Sequence, residues 1–172
     1  MSCMKWVTRE NVHVDRVACP WLIKRFVDPK AQFLFVPPEK IPEVTEREGA
    51  MPYDAKGVEL GHHGEKCSFD AIIERYKLAD PALLELAKIV RAADTGKMEL
   101  ARESIGLEAI ASGSMMIAKD DCEALNKQSY VYDSLYAYCK LNLIKEKYAN
   151  EIEKLEPKQR RSFLRAKVKE SL

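Results

Sequence analysis

Long apolar runs are missing from this chain. No stretch approaches the roughly 20 consecutive apolar residues that cross a bilayer, so no membrane partner is expected. The first residues also lack the apolar core of a signal peptide, and the expected location is the cytoplasm. Charge of one sign is missing too: 28 Lys and Arg face 27 Asp and Glu, a net charge of +1. Nothing global therefore points to nucleic acid or to an anionic surface. The five cysteines (Cys3, Cys19, Cys67, Cys122 and Cys139) are odd in number, widely spaced and without a Cys-x-x-Cys pair. That pattern argues against a disulfide framework and against a zinc ribbon. No internal repeat or low-complexity segment is found.

What is present is an ordinary globular composition, 47% hydrophobic and 32% charged, sufficient for one domain with a real core. Residues 5–9 alternate and read as a strand. Residues 33–36, stopped by Pro37 and Pro38, read as a second, and 57–60 as a weaker third. The apolar stretch 17–27 reads as a helix starting near Cys19, because Pro20 is comfortable only in a first turn. Residues 37–52, rich in prolines and charges, read as a linker. Ser68 is the expected N-cap of a helix carrying Phe69, Ile72, Ile73 and Tyr76 on one face. Asp80 and Pro81 open another, whose stripe of Leu83, Leu86, Ala87 and Val90 continues to Asp94. A carboxylate on the buried side of a helix needs a partner or a proton, which singles out Asp94. Leu107, Ile110, Ala111 and Ala118 suggest a further helix, with Met115 and Met116 as core packing. A long helix from Asp120 carries Tyr132, Tyr136 and Cys139. Pro157 restarts the chain into a basic tail, best read as a solvated or partner-packing helix.

Chemistry-bearing residues concentrate in 59–70, which holds two of the three histidines, Glu59, Glu65 and Cys67 between glycines. Imidazole, thiolate and carboxylate bind metals or move protons near neutral pH. Glu59, His62 and Asp94 form a candidate metal set, with His13 as a further donor. The plainer alternative is a glycine-flanked turn whose histidines bond local backbone. Upstream, Arg16 offers a planar fork for an anion beside a helix N-terminus, with Asp15 as orienter. The plainer alternative there is a helix entry with Arg16 paired to an acid. Cys67, just before a helix, is either a thiol of lowered pKa, open to nucleophilic or redox chemistry, or an inert packed residue.

Segments 6–9 (WVTR), 15–28 (DRVACPWLIKRFVD), 59–62 (ELGH) with 67–70 (CSFD), 89–94 (IVRAAD) and 132–136 (YDSLY) together resemble the C-terminal domain of the ChrB chromate-resistance family. The resemblance runs from about Trp6 to Cys139. It implies a chromate-resistance role, here in a stand-alone version with no DNA-binding module. The expected fold is α+β and helix-dominated, a small sheet from the N-terminal third against four to five helices. Residues 1–148 form the expected domain and 149–172 a basic helical tail. The expected function is a pocket binding a small oxyanion or one divalent metal ion of open identity. In it Arg16 and Asp15 serve an anion; Glu59, His62 and Asp94 serve a metal; His62, Asp94 and Cys67 are candidates for catalysis. Two other readings stay open: a metal-dependent enzyme acting on a small oxygen-rich substrate, and a regulatory module that dimerises through its long C-terminal helix without turnover.

Overall fold

The computed structural model describes residues 4–172, so Cys3 lies outside the described residues. Three strands, β1 (Lys5–Arg9), β2 (Gln32–Val36) and β3 (Met51–Pro52), form a parallel sheet in the order β2-β1-β3. Among the described residues eight α-helices accompany them: α1 (Val14–Phe26), α2 (Ile41–Glu48), α3 (Ser68–Arg75), α4 (Pro81–Thr95), α5 (Ser104–Ile117), α6 (Asp121–Lys147), α7 (Ala149–Glu153) and α8 (Pro157–Ser171). The fold is helix-dominated α+β, as the sequence predicts.

The two-residue side-chain period of a strand decides which face each helix covers. Trp6, Phe33 and Phe35 point to the large core shared with α1, α3, α4, α5 and α6. Val7, Leu34 and Val36 point the other way, onto Ile41 and Val44 of α2. Parallel pairing of β1 with β2 requires a crossover, and α1 supplies it. Deep in the main core, Trp21 packs edge-on against Tyr136 at 5.7 Å between ring centres, while its indole N–H donates to Asp133 at 2.9 Å. The membrane expectation agrees with the helices: among the described residues none is long and apolar enough to cross a bilayer.

Several expected boundaries are corrected. α1 begins at Val14, five residues before Cys19, so Pro20 lies inside the helix. Proline withholds an N–H from the preceding turn at a cost of about 3 kcal/mol. Burial of Val14, Val17, Ala18, Cys19, Leu22 and Ile23 offsets that cost, since each large aliphatic side chain taken from water contributes about 1.5–3 kcal/mol. The expected linker at 37–52 contains α2 and β3. α2 ends at Gly49, whose φ of +61° is a left-handed C-cap that glycine adopts without strain. β3 tolerates Pro52 because it is an edge strand. Residues 57–60 form no strand; only Leu60 bridges, to Tyr53. In α5, Leu107 and Ala111 are buried, but Ile110, Met115 and Met116 are exposed, against the expected core packing.

The expected start of α4 is found. Asp80 caps it, its Oδ1 accepting from the Leu83 amide at 2.9 Å. Its Oδ2 accepts from Lys140 Nζ at 2.6 Å and from the Tyr136 hydroxyl at 3.1 Å, tying α4 to α6. Burial alone would raise the Asp80 pKa, but the bonds from Lys140 and the Leu83 amide outweigh it and hold the carboxyl below its usual range. Asp80→Ala is expected to cost about 1–2 kcal/mol in urea denaturation at neutral pH. Because the folded-state pKa is depressed, the charge-dependent part of this stability is present above the unfolded-state pKa. It disappears as pH falls through the folded-state value. The stability gap between the parent and Asp80→Asn therefore shrinks on acidification through the carboxylate range; a gap unchanged by pH refutes the assignment.

Candidate functional site

In open parallel sheets, the loops that leave the carboxyl ends of the strands converge and offer polar groups to one another. Here Arg9 closes β1, Asp54 follows β3 by two residues, and Asp15 and Arg16 lie in the first turn of α1. The loop from 53 to 67 then folds back over this edge. It is pinned by the Asp54 amide donating to the Leu60 carbonyl at 3.0 Å, and by reciprocal backbone bonds between His63 and Lys66, both 3.1 Å. Gly64, at φ +61°, makes the turn between that last pair. Gly61 is required for a different reason. A Cβ there would sit 3.0 Å from the Ala55 carbonyl oxygen and 3.1 Å from that of Val58. This close approach sets the next residue, His62, over the sheet edge.

His62 Nε2 lies 3.0 Å from Asp94 Oδ2, 3.4 Å from Asp54 Oδ1 and 3.6 Å from Asp15 Oδ2. Its side chain is 45% exposed, whereas those of Asp15 and Asp54 are 0% and 4%. One imidazole thus faces solvent on one side and three aspartates on the other.

The three carboxylates are not equivalent. Asp54 Oδ2 accepts from Arg16 Nη1 at 3.0 Å and from Arg9 Nη2 at 3.1 Å, and its Oδ1 accepts from the Ser68 hydroxyl at 3.1 Å. Asp54 holds a left-handed backbone, φ +43°, and its carbonyl oxygen accepts from Arg9 Nε at 2.9 Å. Asp15 Oδ2 accepts the Ser68 amide at 2.6 Å, the Cys67 thiol lies beside the same carboxyl, and no arginine or lysine pairs with it among the described residues. Burial, then the charges of Asp94 and Asp54, push the Asp15 carboxyl well above the usual carboxylate range. Asp94 Oδ1 accepts from the Asp15 amide at 3.3 Å. Burial and Asp54 raise its pKa, while His62 pulls the other way.

A second brace stands behind these groups. Arg91 of α4 forms a two-pronged bond to Asp70 of α3, both contacts 2.8 Å. Asp70 also accepts the Cys67 amide at 3.1 Å, closing a capping box at the start of α3. Cys67, not Ser68, is the N-cap; Ser68 is the first helical residue, and its free amide is the donor that reaches Asp15.

Residues 6–139 match the family described as ChrB, C-terminal domain. The chain belongs to that family. It is 35% identical over 135 residues to Protein ChrB of Cupriavidus metallidurans, a match covering 78% of this chain and 40% of that protein. The chain thus spans less than half the length of the relative it matches. No solved structure matches it.

Within this ChrB C-terminal domain, the sequence-derived candidates divide. His62, Asp94 and Asp15 come together, with one donor atom from each lying within 4.8 Å of the others. Glu59 does not join them. Its side chain is 76% exposed and approaches Arg75 at 3.7 Å. His63 matches the plainer expectation of a local backbone bond, 2.6 Å to the Glu59 carbonyl. His13 lies apart, 3.3 Å from the Ser112 hydroxyl. Arg16 follows its plainer reading, with Nη1 on Asp54 and Nη2 on the Asn11 carbonyl at 3.0 Å. Its Nε is buried and unpartnered. The Cys67 thiol departs from the activated form: burial, then Asp15 and Asp70, push its pKa far above the usual thiol range.

Asp54 was missed because it follows directly on the proline-rich stretch, residues 37–52, that reads as a linker. The usable signal was Ile41, Val44 and Gly49, a short amphipathic helix with its C-cap. Asp54→Asn removes the charge that faces two guanidinium groups while keeping a hydrogen-bonding side chain. It is expected to cost about 2–4 kcal/mol, measured by chemical denaturation. A loss below about 0.5 kcal/mol, the scale of an exposed surface pair, contradicts that role.

Proposed function

We propose that this ChrB C-terminal domain serves chromate resistance by holding one divalent metal ion between Asp15, His62 and Asp94. The observation that carries this reading is the convergence of Asp15, His62 and Asp94, one donor atom from each lying within 4.8 Å of the others. Buried acids gathered around one imidazole are costly to ionise, and a cation between them offsets that cost. The charge balance supports the same reading. Asp54 is matched by Arg9 and Arg16, so two carboxylates and one imidazole are left to face each other. A mixed oxygen and nitrogen donor set of this kind suits zinc, manganese or ferrous iron.

The half-exposed His62 side of the cluster leaves a metal open to solvent, where further ligands attach. Oxygen-donor ligands are the expected class, and a tetrahedral oxyanion such as chromate belongs to it. In this reading the oxyanion meets the metal and not Arg16, whose guanidinium is already spent on Asp54 and Asn11. A metal so placed can polarise a bound oxygen or lower the pKa of a bound water, which supports chemistry on a small oxygen-rich substrate. The donors themselves are set by the chain. Ser68 orients Asp15, the Asp15 amide orients Asp94, and Gly61 admits His62.

Calorimetric titration of the chelator-treated chain with Zn²⁺ and Mn²⁺ tests this. One equivalent of one ion is expected to bind, with affinity falling about 10- to 100-fold in Asp15→Asn, His62→Ala and Asp94→Asn. Binding to the native state alone also raises the melting temperature, by an amount that grows with ion concentration in the parent and is lost in the variants. Absence of saturable binding, or binding that survives all three changes, rejects the site.

A further inference from the structure

The last turns of α6 and the whole of α8 run side by side and leave a groove of about 880 Å³ between them. α8 rests on α6 and buries none of its own residues fully. Its ties elsewhere are few: the Phe163 ring meets Tyr148 at 5.8 Å, and the Leu172 carbonyl accepts from Arg25. The floor of the groove is apolar, made by Tyr138 and Leu141 of α6 and by Leu164 and Val168 of α8. At one end stands Tyr130, 77% exposed, a large aromatic surface left to water.

The rim carries charge of one sign. Lys145, Arg161, Arg165 and Lys169 line the groove, no carboxylate does, and none of these four makes an ion pair or hydrogen bond among the described residues. Arg161, Arg165 and Lys169 recur every four residues, which places them on one edge of α8. Like charges at that spacing repel by a few tenths of a kcal/mol per pair, so the edge is held against its own electrostatics. An apolar floor between unpaired cations is the complement of a helix with an apolar stripe and acidic flanks.

We propose that the α6–α8 groove docks an acidic amphipathic helix of a partner protein. Alternative occupants fit less well. A second copy of this chain would bring the same cationic rim against itself. A nucleic acid backbone would meet the rim but leave the apolar floor unused. α8 has 15 residues and is therefore about 22 Å long, enough to accommodate about four turns of a docked helix. Leucine-sized side chains at i, i+3 or i+4, and i+7 would enter the floor, and glutamates or aspartates flanking them would meet the arginines.

Panning the full chain against a displayed library of helix-biased peptides, each about 16 residues long, tests this. The expected enrichment is for acidic residues flanking an apolar stripe of that spacing. A synthetic peptide of the enriched sequence is expected to lose about tenfold or more in affinity, by fluorescence anisotropy, against the Arg161→Glu/Arg165→Glu double variant. Leu164→Ala, which keeps every charge, is expected to lose about fivefold, and Lys56→Glu, far from the groove, to change nothing. Circular dichroism should be the same for all of these chains. Four results overturn the proposal: no acidic enrichment; peptide binding indifferent to charge reversal; a DNA duplex that binds more tightly than the peptide through the same arginines; or a homodimer that the reversal dissolves.

Discussion

Asp54 is the point on which the site depends. Its carboxylate joins the end of β1 through Arg9, the first turn of α1 through Arg16, and the first residue of α3 through Ser68. Through His62 it also touches the loop that covers the sheet edge. Burying a carboxylate this deeply is costly unless cations and donors match it, and two guanidinium groups and a hydroxyl do so here. The consequence reaches beyond Asp54 itself. By engaging both arginines it leaves no guanidinium hydrogen bond to Asp15 or Asp94 among the described residues, and these two acids approach each other beside one imidazole. The negative character of the pocket is therefore a result of how its positive charge is distributed.

The left-handed backbone at Asp54 and at Asn11 fits the same account. Non-glycine residues pay for that conformation unless their surroundings determine it. Asn11 has its amide on Asp121 at the start of α6 and its carbonyl on Arg16. Asp54 has its carbonyl on Arg9 and its carboxylate on both arginines. Two unfavourable backbone states are thus fixed by bonds that converge on Arg16, and the chain is shaped around that guanidinium. A free anion clamp would need the same nitrogens, so the structural and anion-binding roles of Arg16 compete.

How much of this was legible in the sequence can be traced residue by residue. The Asp80–Pro81 start of α4 rests on local rules, a capping side chain followed by a proline at the first helical position, and local rules survive folding well. Asp94 was legible because it continues an apolar stripe, which puts a carboxylate where only a partnered one is tolerated. His62 stood out by composition. Where the expected elements failed, distant burial overrode local preference. Pro20 lies within a helix because that helix is surrounded by core. Asp54 escaped notice because α2 and β3 are short and proline-bearing, and their worth lies in covering Val7. Glu59 stands away from the cluster, toward Arg75, because sequence proximity to His62 says nothing about which way a side chain in a tight turn faces. Asp15, distant in sequence, is the near neighbour in space.

The position of the brace between Asp70 and Arg91 explains why the cluster can be acidic and still ordered. Asp94 is three residues beyond Arg91 on α4, so the two project from neighbouring turns of the same face. Asp70 is two residues beyond Ser68, whose amide orients Asp15. The two-pronged bond therefore fixes α3 relative to α4 at the level where Asp15 and Asp94 approach. Repulsion between those carboxylates, acting alone, would push α1 from α4, and α3 is tied to α1 by the Ser68 amide on Asp15. The guanidinium–carboxylate fork opposes that spread from behind, in a half-buried setting where such pairs are stronger than at the surface. The family-matched residues 6–139 contain both members of this fork together with Asp15, His62 and Asp94, so the cluster and its brace fall within the same matched stretch.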